Sequence, residues 1–427
     1  MVVLLEWMEK MNEYYQELNI NPKIIKKVLE EESKLKDEFL KIEENERVNS
    51  AKVIKAFWNE KISESHFNGT SGYGYSDVGR EAIERVFAQV LGGEASLVRS
   101  QFISGTHAIS TCLFALLRPN DTMLSITGTP YETIQKVIGI KENASSLKSF
   151  NINYDQIDLI NDDFDVEKIK KYLNSHKVKV IEIQRSKGYS TRKSIKISQI
   201  EKVIKEIRKI NKEVIIMVDN CYSEFVEVVS PLEVGANVIV GSLIKNLGAG
   251  IAPNGAYICG DKEIIELCSE RLNVPGQGLE VGPSGNSNKL FLQGLYFAPS
   301  VVASSLKVAV LTSKVLASLG YEVEPKYNEK RADIVQNIVF GNKDDLINYT
   351  IGLQSGGAID SHVCPTPYQM PGYTCDIIMA SSSFVQGSSI ELSGDAPIRE
   401  PYILYQQGSL TYEYGKIGLM KALERIM

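Results

Sequence analysis

The sequence predicts an α/β protein: a large domain built on a mostly parallel sheet flanked by helices, followed by a smaller C-terminal α+β domain. Two observations carry this. From about residue 80 to 275, short apolar runs alternate with amphipathic helical patterns, whereas after about residue 300 strand-like runs follow one another. Strands separated by helices of that length form right-handed βαβ units, whose sheet is buried on both faces. A third observation sets off the first 65 residues, which hold 14 acidic and 11 basic side chains. The division expected is therefore a helical arm over 1–65, a large domain over 66–300 and a small domain over 301–427.

In the arm, Ile25, Val28, Leu35, Phe39 and Ile42 recur at helical spacing, and Pro22 suits a helix start. In the large domain, strands are expected at Asp121–Ile126, Val178–Ile183, Glu213–Val218, Ala236–Ser242 and Gly255–Cys259, with helices at Val166–Leu173, Ile197–Lys212 and Lys262–Leu272. The small domain should open on a helix from Val301 to Leu319, stopped by Gly320. Strands at Ile334–Phe340, Asp376–Ala380, Ser389–Leu392 and Tyr402–Tyr405 and a helix from Leu410 follow. The Gly-, Pro- and Ser-rich loop Gly356–Thr374 reads as a lid or subunit contact.

Composition narrows the function. Lys plus Arg number 47 and Asp plus Glu 53, a net charge of −6, which lacks the footprint of a nucleic-acid or membrane-surface binder. Any bound anion must be held locally by a few oriented donors. The start MVVLLEWMEKMNEYY has no basic n-region, and six cysteines without a CxxC read as reduced thiols, so a cytoplasmic location is expected. The four histidines are scattered, and no metal site is expected.

Ligands of parallel sheets bind beyond the carboxyl ends of the strands, so the residues just after each strand matter most. Lys245 follows the Ala236–Ser242 run and is the only charge between Val234 and Gly260; desolvation there favours the neutral amine, the form that attacks carbonyls. Asp219 follows four apolar residues and, buried at a strand end, needs a cationic partner. Ser104, Gly105 and Thr106 open an apolar helix and offer hydroxyls, free N–H groups and a positive dipole end to a phosphate. His107, beside them, is read as packing. Tyr131 follows the Asp121–Ile126 strand, where an aromatic ring can lie on a planar cofactor and its hydroxyl can act as an acid. A phosphate seat, a stacking ring, a carboxylate for a pyridinium nitrogen and an amine for an aldehyde are together the needs of pyridoxal 5'-phosphate. For the carboxylate of an amino-acid substrate, Arg399 and Arg185 are the candidates.

These segments resemble fold-type-I pyridoxal-phosphate enzymes of the cystathionine β-lyase and methionine γ-lyase-like group, above all the branch labelled aluminium resistance protein. Ile103-Ser-Gly-Thr-His-Ala108 is similar to that group's Ser-Gly-Met-Ala turn, Val218-Asp-Asn-Cys221 to its Val-Asp-Asn-Thr, and Ser242-Leu-Ile-Lys245 to its Ser-x-x-Lys. Tyr75-Ser76 and Gly92-Gly-Glu-Ala95 resemble motifs that precede the phosphate turn. The resemblance spans roughly residues 70–300 and, more loosely, the C-terminal domain. It implies that Ser242 reaches the phosphate and that Tyr75 reaches the phosphate of a neighbouring subunit, hence a homo-oligomer, a dimer of dimers. It also implies β- or γ-elimination from a sulfur-containing amino acid, with Lys245 as the base and Arg399 as the carboxylate clamp. An aminotransferase, an aldolase or a low-turnover cofactor-binding protein would use the same residues. The chain departs from the group at Asp77, where the lyases carry Arg and Arg80 stands nearby, at Ile244, and at Glu182-Ile-Gln-Arg-Ser186, which replaces Ser-Pro-x-Asn.

Overall fold

The computed structural model describes residues 13–370 and 375–427; the start of the chain and the end of the expected 356–374 loop lie outside the described residues. Two compact units emerge. One comprises Arg47–Pro299 with Arg331–Asp333; the other combines the described residues up to Glu46 with Ser300–Lys330 and Ile334–Met427.

The first unit holds seven strands: β1 (Ala95–Arg99), β2 (Thr122–Ser125), β3 (Asn153–Gln156), β4 (Val180–Gln184), β5 (Ile215–Asp219), β6 (Val238–Ser242) and β7 (Ala256–Gly260). They lie in the order β1-β7-β6-β5-β4-β2-β3. β3, β2, β4, β5 and β6 are parallel neighbours, while β7 runs antiparallel to both β6 and β1. β4, β6 and β7 are buried along their whole length, which is why they are mostly apolar, with Glu182 and Gln184 the exceptions in β4. β3, Asn-Tyr-Asp-Gln at the sheet edge, has no apolar run and escaped the sequence pattern. One face packs on helices Gly105–Leu116 and Lys262–Leu272, where Met123, Val180, Met217 and Val240 meet Ile109, Leu113, Ile265 and Cys268. Because the parallel strands point the same way, the residues that follow β2, β4, β5 and β6 gather at one edge of the sheet.

The second unit carries an antiparallel sheet of β8 (Glu322–Glu324), β9 (Gln336–Val339), β10 (Ile377–Ser381), β11 (Ser393–Pro397) and β12 (Ile403–Gln407), ordered β10-β11-β12-β9-β8. The strand expected at Ser389–Leu392 starts only at Ser393. The Glu391 carboxylate accepts the Phe384 and Val385 N–H groups at 2.8 and 3.1 Å, closing a turn that withholds this segment from the ladder. The helix expected from Val301 begins at Ser287 and contains Pro299. Among the described residues it alone is long and apolar enough to cross a membrane, and 72% of its most apolar window is buried in protein, as in a core helix.

The expected arm is shared between the units. Helix Pro22–Glu32, capped by the Asn21 side chain, belongs with the C-terminal residues: Tyr412 Oη and Lys416 Nζ donate to Glu32 Oε1 at 2.6 and 3.1 Å. Beyond Glu46 the allegiance changes: Asn49 Nδ2 and Lys52 Nζ donate to the Phe225 and Val228 carbonyls at 3.2 and 2.6 Å.

Candidate active site

At the carboxyl edge of the parallel strands, Asp219 closes β5 opposite Gln184 of β4, and Ser242 closes β6. Asp219 is 6% exposed, and its Oδ1 accepts the Cys221 N–H at 3.1 Å. The turn after β5 places Tyr222 at φ 69°, a left-handed conformation that costs a bulky residue free energy. There its ring lies 3.9 Å from Lys245 Nζ, a cation–π contact.

Lys245 corrects one expectation. Burial works against its charge, but the Tyr222 ring and the Asp219 carboxylate favour it, and the amine is held well above its ordinary range. The stretch is uncharged along the sequence, yet in space it faces acidic groups from other segments. Before it meets a carbonyl compound, this amine is an ammonium.

Helix Gly105–Leu116 starts beside this cluster. A Cβ on Gly105 would lie 3.2 Å from Ser242 Cβ and 3.4 Å from Cys221 Sγ, so glycine lets the helix start close on the ends of β5 and β6. Ser104 Oγ accepts the His107 N–H at 3.1 Å as N-cap, leaving its own proton to donate, and the first N–H groups of the helix have no intrahelical acceptor. His107 itself packs edge-on against Phe102, with ring centroids 5.5 Å apart.

Tyr131 is oriented at both ends. Its N–H donates to Gln184 Oε1 at 2.8 Å, and its phenol shares a hydrogen bond with Thr106 Oγ1, which also meets Thr133 Oγ1 at 3.1 Å. Burial and the nearby Asp219 push the phenol up, against a smaller pull from Lys245, so it keeps its proton throughout the neutral range. Asp219 and Lys245 are thus both within electrostatic reach of one protonated phenol.

Arg185 is not available to a substrate. It is 1% exposed, paired with Glu227 Oε2 at 2.5 Å, and donates to Asn220 Oδ1 and the Ile195 carbonyl at 2.9 and 3.1 Å. Burial lowers it and Glu227 offsets part of that; the pair is internal structure. Arg399 lies in the other unit, just after β11, and is exposed. Ser242 Oγ accepts the Ile244 N–H at 3.4 Å.

Tyr75 stands on a loop stacked against Tyr73, with centroids 5.6 Å apart, and is 55% exposed. The loop is tied down from below. Arg80 donates to the Gly74 and Gly282 carbonyls at 2.6 and 2.8 Å, and Arg99 to the Val281 carbonyl at 2.8 Å. Arg80 therefore braces the loop. Asp77, at the position where the lyases have Arg, caps the following helix and accepts from Thr70 Oγ1 at 2.6 Å.

Sequence reasoning gave no role to four polar groups around this cluster: Tyr222, Gln184, Glu182 and Glu224. Glu224 is 2% exposed; Tyr257 Oη donates to its Oε1 at 2.9 Å, and burial pushes it up to about 7. Gly241 lacks a side chain because a Cβ there would fall 2.4 Å from that carboxyl.

A profile of the methionine gamma-lyase family matches residues 23–427. The chain belongs to this family. The methionine gamma-lyase family member is 44% identical to a carbon-sulfur lyase involved in aluminum resistance from Clostridium novyi NT, covering 98% of this chain and 99% of that one with a TM-score of 0.94. It is 46% identical over 389 residues to the uncharacterized protein YnbB of Bacillus subtilis, 90% of this chain and 92% of that one. A methionine gamma lyase from Micromonospora echinospora, CalE6, shares the fold at 16% identity, with a TM-score of 0.57 over 85% of this chain and 93% of that one. The fold is that of the type-I pyridoxal-phosphate enzymes.

Proposed function

We propose that this chain is a pyridoxal-phosphate-dependent carbon–sulfur lyase acting on a sulfur-containing amino acid. The observation that carries the reading is the meeting of Lys245, Asp219, Tyr131 and the Gly105 helix start at one sheet edge, in a member of this family. The residues fit the cofactor: the N–H groups of Gly105 and Thr106 with the Ser104 and Ser242 hydroxyls would hold its phosphate, Asp219 would hold a proton on its ring nitrogen, and Tyr131 would flank its ring. When bound, pyridoxal phosphate supplies an electron-accepting ring for the pair left at the substrate α-carbon.

The protein's own part is positioning and proton movement. Lys245 Nζ would be the attachment point for the cofactor aldehyde and, when free, the base within reach of the substrate α-proton. The protonated Tyr131 Oη gives its proton to the departing sulfur, and the acidic surroundings of Lys245 stabilise the ammonium that results. Arg399 clamps the substrate carboxylate. Tyr75 completes the site of a second copy, in a homo-oligomer built as a dimer of dimers; its exposure on a braced loop supports this. Six free thiols suit a reducing cytoplasm.

Purified protein should be yellow, and borohydride reduction followed by peptide mapping should place the label on Lys245. Ammonia and a keto acid should appear from a sulfur amino acid without amino-group transfer; a colourless protein that takes up no cofactor overturns the reading. The two arginines should separate cleanly. Arg399→Ala is expected to raise KM roughly 10–100-fold, the worth of a charge-assisted hydrogen bond or two, with little change in unfolding. Arg185→Ala should instead cost about 3–5 kcal/mol in urea unfolding, because it strands Glu227 in the interior.

A further inference from the structure

Glu182 sits within β4, 3% exposed, on the same face as Gln184 two residues on, one layer beneath the site. Among the described residues its carboxyl has one hydrogen-bonding neighbour, Ser125 of β2, whose Oγ lies 2.9 Å from Glu182 Oε2 and 2.7 Å from the Gly128 carbonyl oxygen. A serine hydroxyl has one proton. Both contacts place Ser125 Oγ against an acceptor, so its one proton can serve only one of them; with the proton on the Gly128 carbonyl, which can only accept, the 2.9 Å contact is a hydrogen bond when Glu182 is the donor. The turn so fixed is the one that presents Tyr131. Gly128 bends it at φ 79°, the Gln184 N–H donates to Thr127 Oγ1 at 3.0 Å, and Gln184 Oε1 receives the Tyr131 N–H at 2.8 Å.

The charged and titratable groups that face Glu182 are Asp219 from β5, Tyr154 from β3 and Arg192 from the segment after β4. Arg192 gives it no ion pair, since its guanidinium donates to the Gln184, Ser186 and Lys193 carbonyls at 2.7, 2.7 and 2.9 Å. We propose that Glu182 is a positioning residue held as the neutral acid, whose proton, passed on as a hydrogen bond through Ser125, fixes the turn that carries Tyr131; its catalytic consequence rests on the lyase reading above. Burial is the main force on this carboxyl and Asp219 adds to it against Arg192, and it stays raised to about 7 even with the Ser125 proton turned toward it. On ionisation the carboxylate becomes the stronger acceptor for the Ser125 proton, Gly128 loses its donor, and the turn under Tyr131 loosens.

Glu182→Gln tests this, because the amide can donate to Ser125 Oγ as the acid does but does not titrate. The first readout is thermal unfolding of cofactor-free protein across the neutral range. A carboxyl raised from 4.5 to about 7 favours the folded state fully below the lower value, and that advantage is lost as pH rises past the upper one. The variant should therefore match wild type near pH 5 and melt about 5 °C or more higher near pH 8.5. The second readout is turnover: kcat near pH 6.5 should stay within about 2-fold of wild type, and the wild-type decline above about pH 7 should flatten in the variant, with KM unchanged. A variant that melts lower at alkaline pH, or with the same pH dependence as wild type, overturns the neutral acid; a tenfold or greater loss of kcat at pH 6.5 overturns the positioning role. Should neither protein turn over, the lyase reading fails while the melting comparison still reports the Glu182 proton. If Glu182→Gln does not fold, infrared spectra of wild type and Ser125→Ala decide: a protonated-carboxyl band that titrates near neutrality and moves on removal of Ser125 supports the inference, and its absence ends it.

Discussion

Lys245→Ala is expected to abolish the borohydride-stable label and to lower turnover by roughly 10⁴-fold, at the upper end of what a positioned proton-transfer group contributes. The loss should fall on kcat, since the phosphate seat at Gly105, the Ser242 hydroxyl and Asp219 are untouched and cofactor can still bind without a covalent link. Added small amines should restore part of the rate if the missing function is a base at Nζ. The protein should unfold at slightly lower denaturant than wild type, because the surroundings that favour the Lys245 ammonium, the Tyr222 ring among them, lose their cation. Turnover within tenfold of wild type would mean that another amine carries the chemistry.

Asp219→Asn is expected to keep the fold and most of the cofactor affinity while lowering kcat by about 10²–10³-fold, the usual effect of removing one preorganised electrostatic partner from a dry site. The Asn amide still fits between Gln184 and Val240 across the sheet, and its oxygen can still accept the Cys221 N–H. What it lacks is the negative charge that would keep a proton on the ring nitrogen. The change should therefore appear in kcat far more than in KM. Near-full turnover with cofactor bound would remove the carboxylate from the mechanism.

Legibility in the sequence followed a simple rule: features written as contiguous pattern were readable, and features made by distant pairing were not. Lys245 and Asp219 stand out because each is the first charged residue at or after a buried strand end that follows an apolar run. The Ser104-Gly105-Thr106 helix start is likewise local. Arg185 shows the opposite. At a strand end it looks like a clamp, and only the fold reveals that Glu227, 42 residues on, already neutralises it. Glu182 interrupts the run Val180-Ile181-Glu182-Ile183, and its partner Ser125 lies 57 residues earlier, so its meaning exists only once β2 and β4 are paired. Lys245 misled for the same reason: its charge depends on Tyr222 and Asp219, neither of them in its own segment. The edge strand β3 and the displaced start of β11 were lost because polar edge residues and a side-chain-closed turn leave no periodic trace.

The pairing of Glu32 with Lys416 and Tyr412 joins positions 384 and 380 residues apart. Translation therefore delivers the opening helices long before the segment that receives them exists. Until Tyr412 and Lys416 are made, these helices wait without that partner, their apolar stripe of Ile24, Ile25 and Val28 a hazard for aggregation and an invitation to chaperones. A nascent chain stopped short of Tyr412 could finish the seven-stranded sheet yet have no mate for its own beginning.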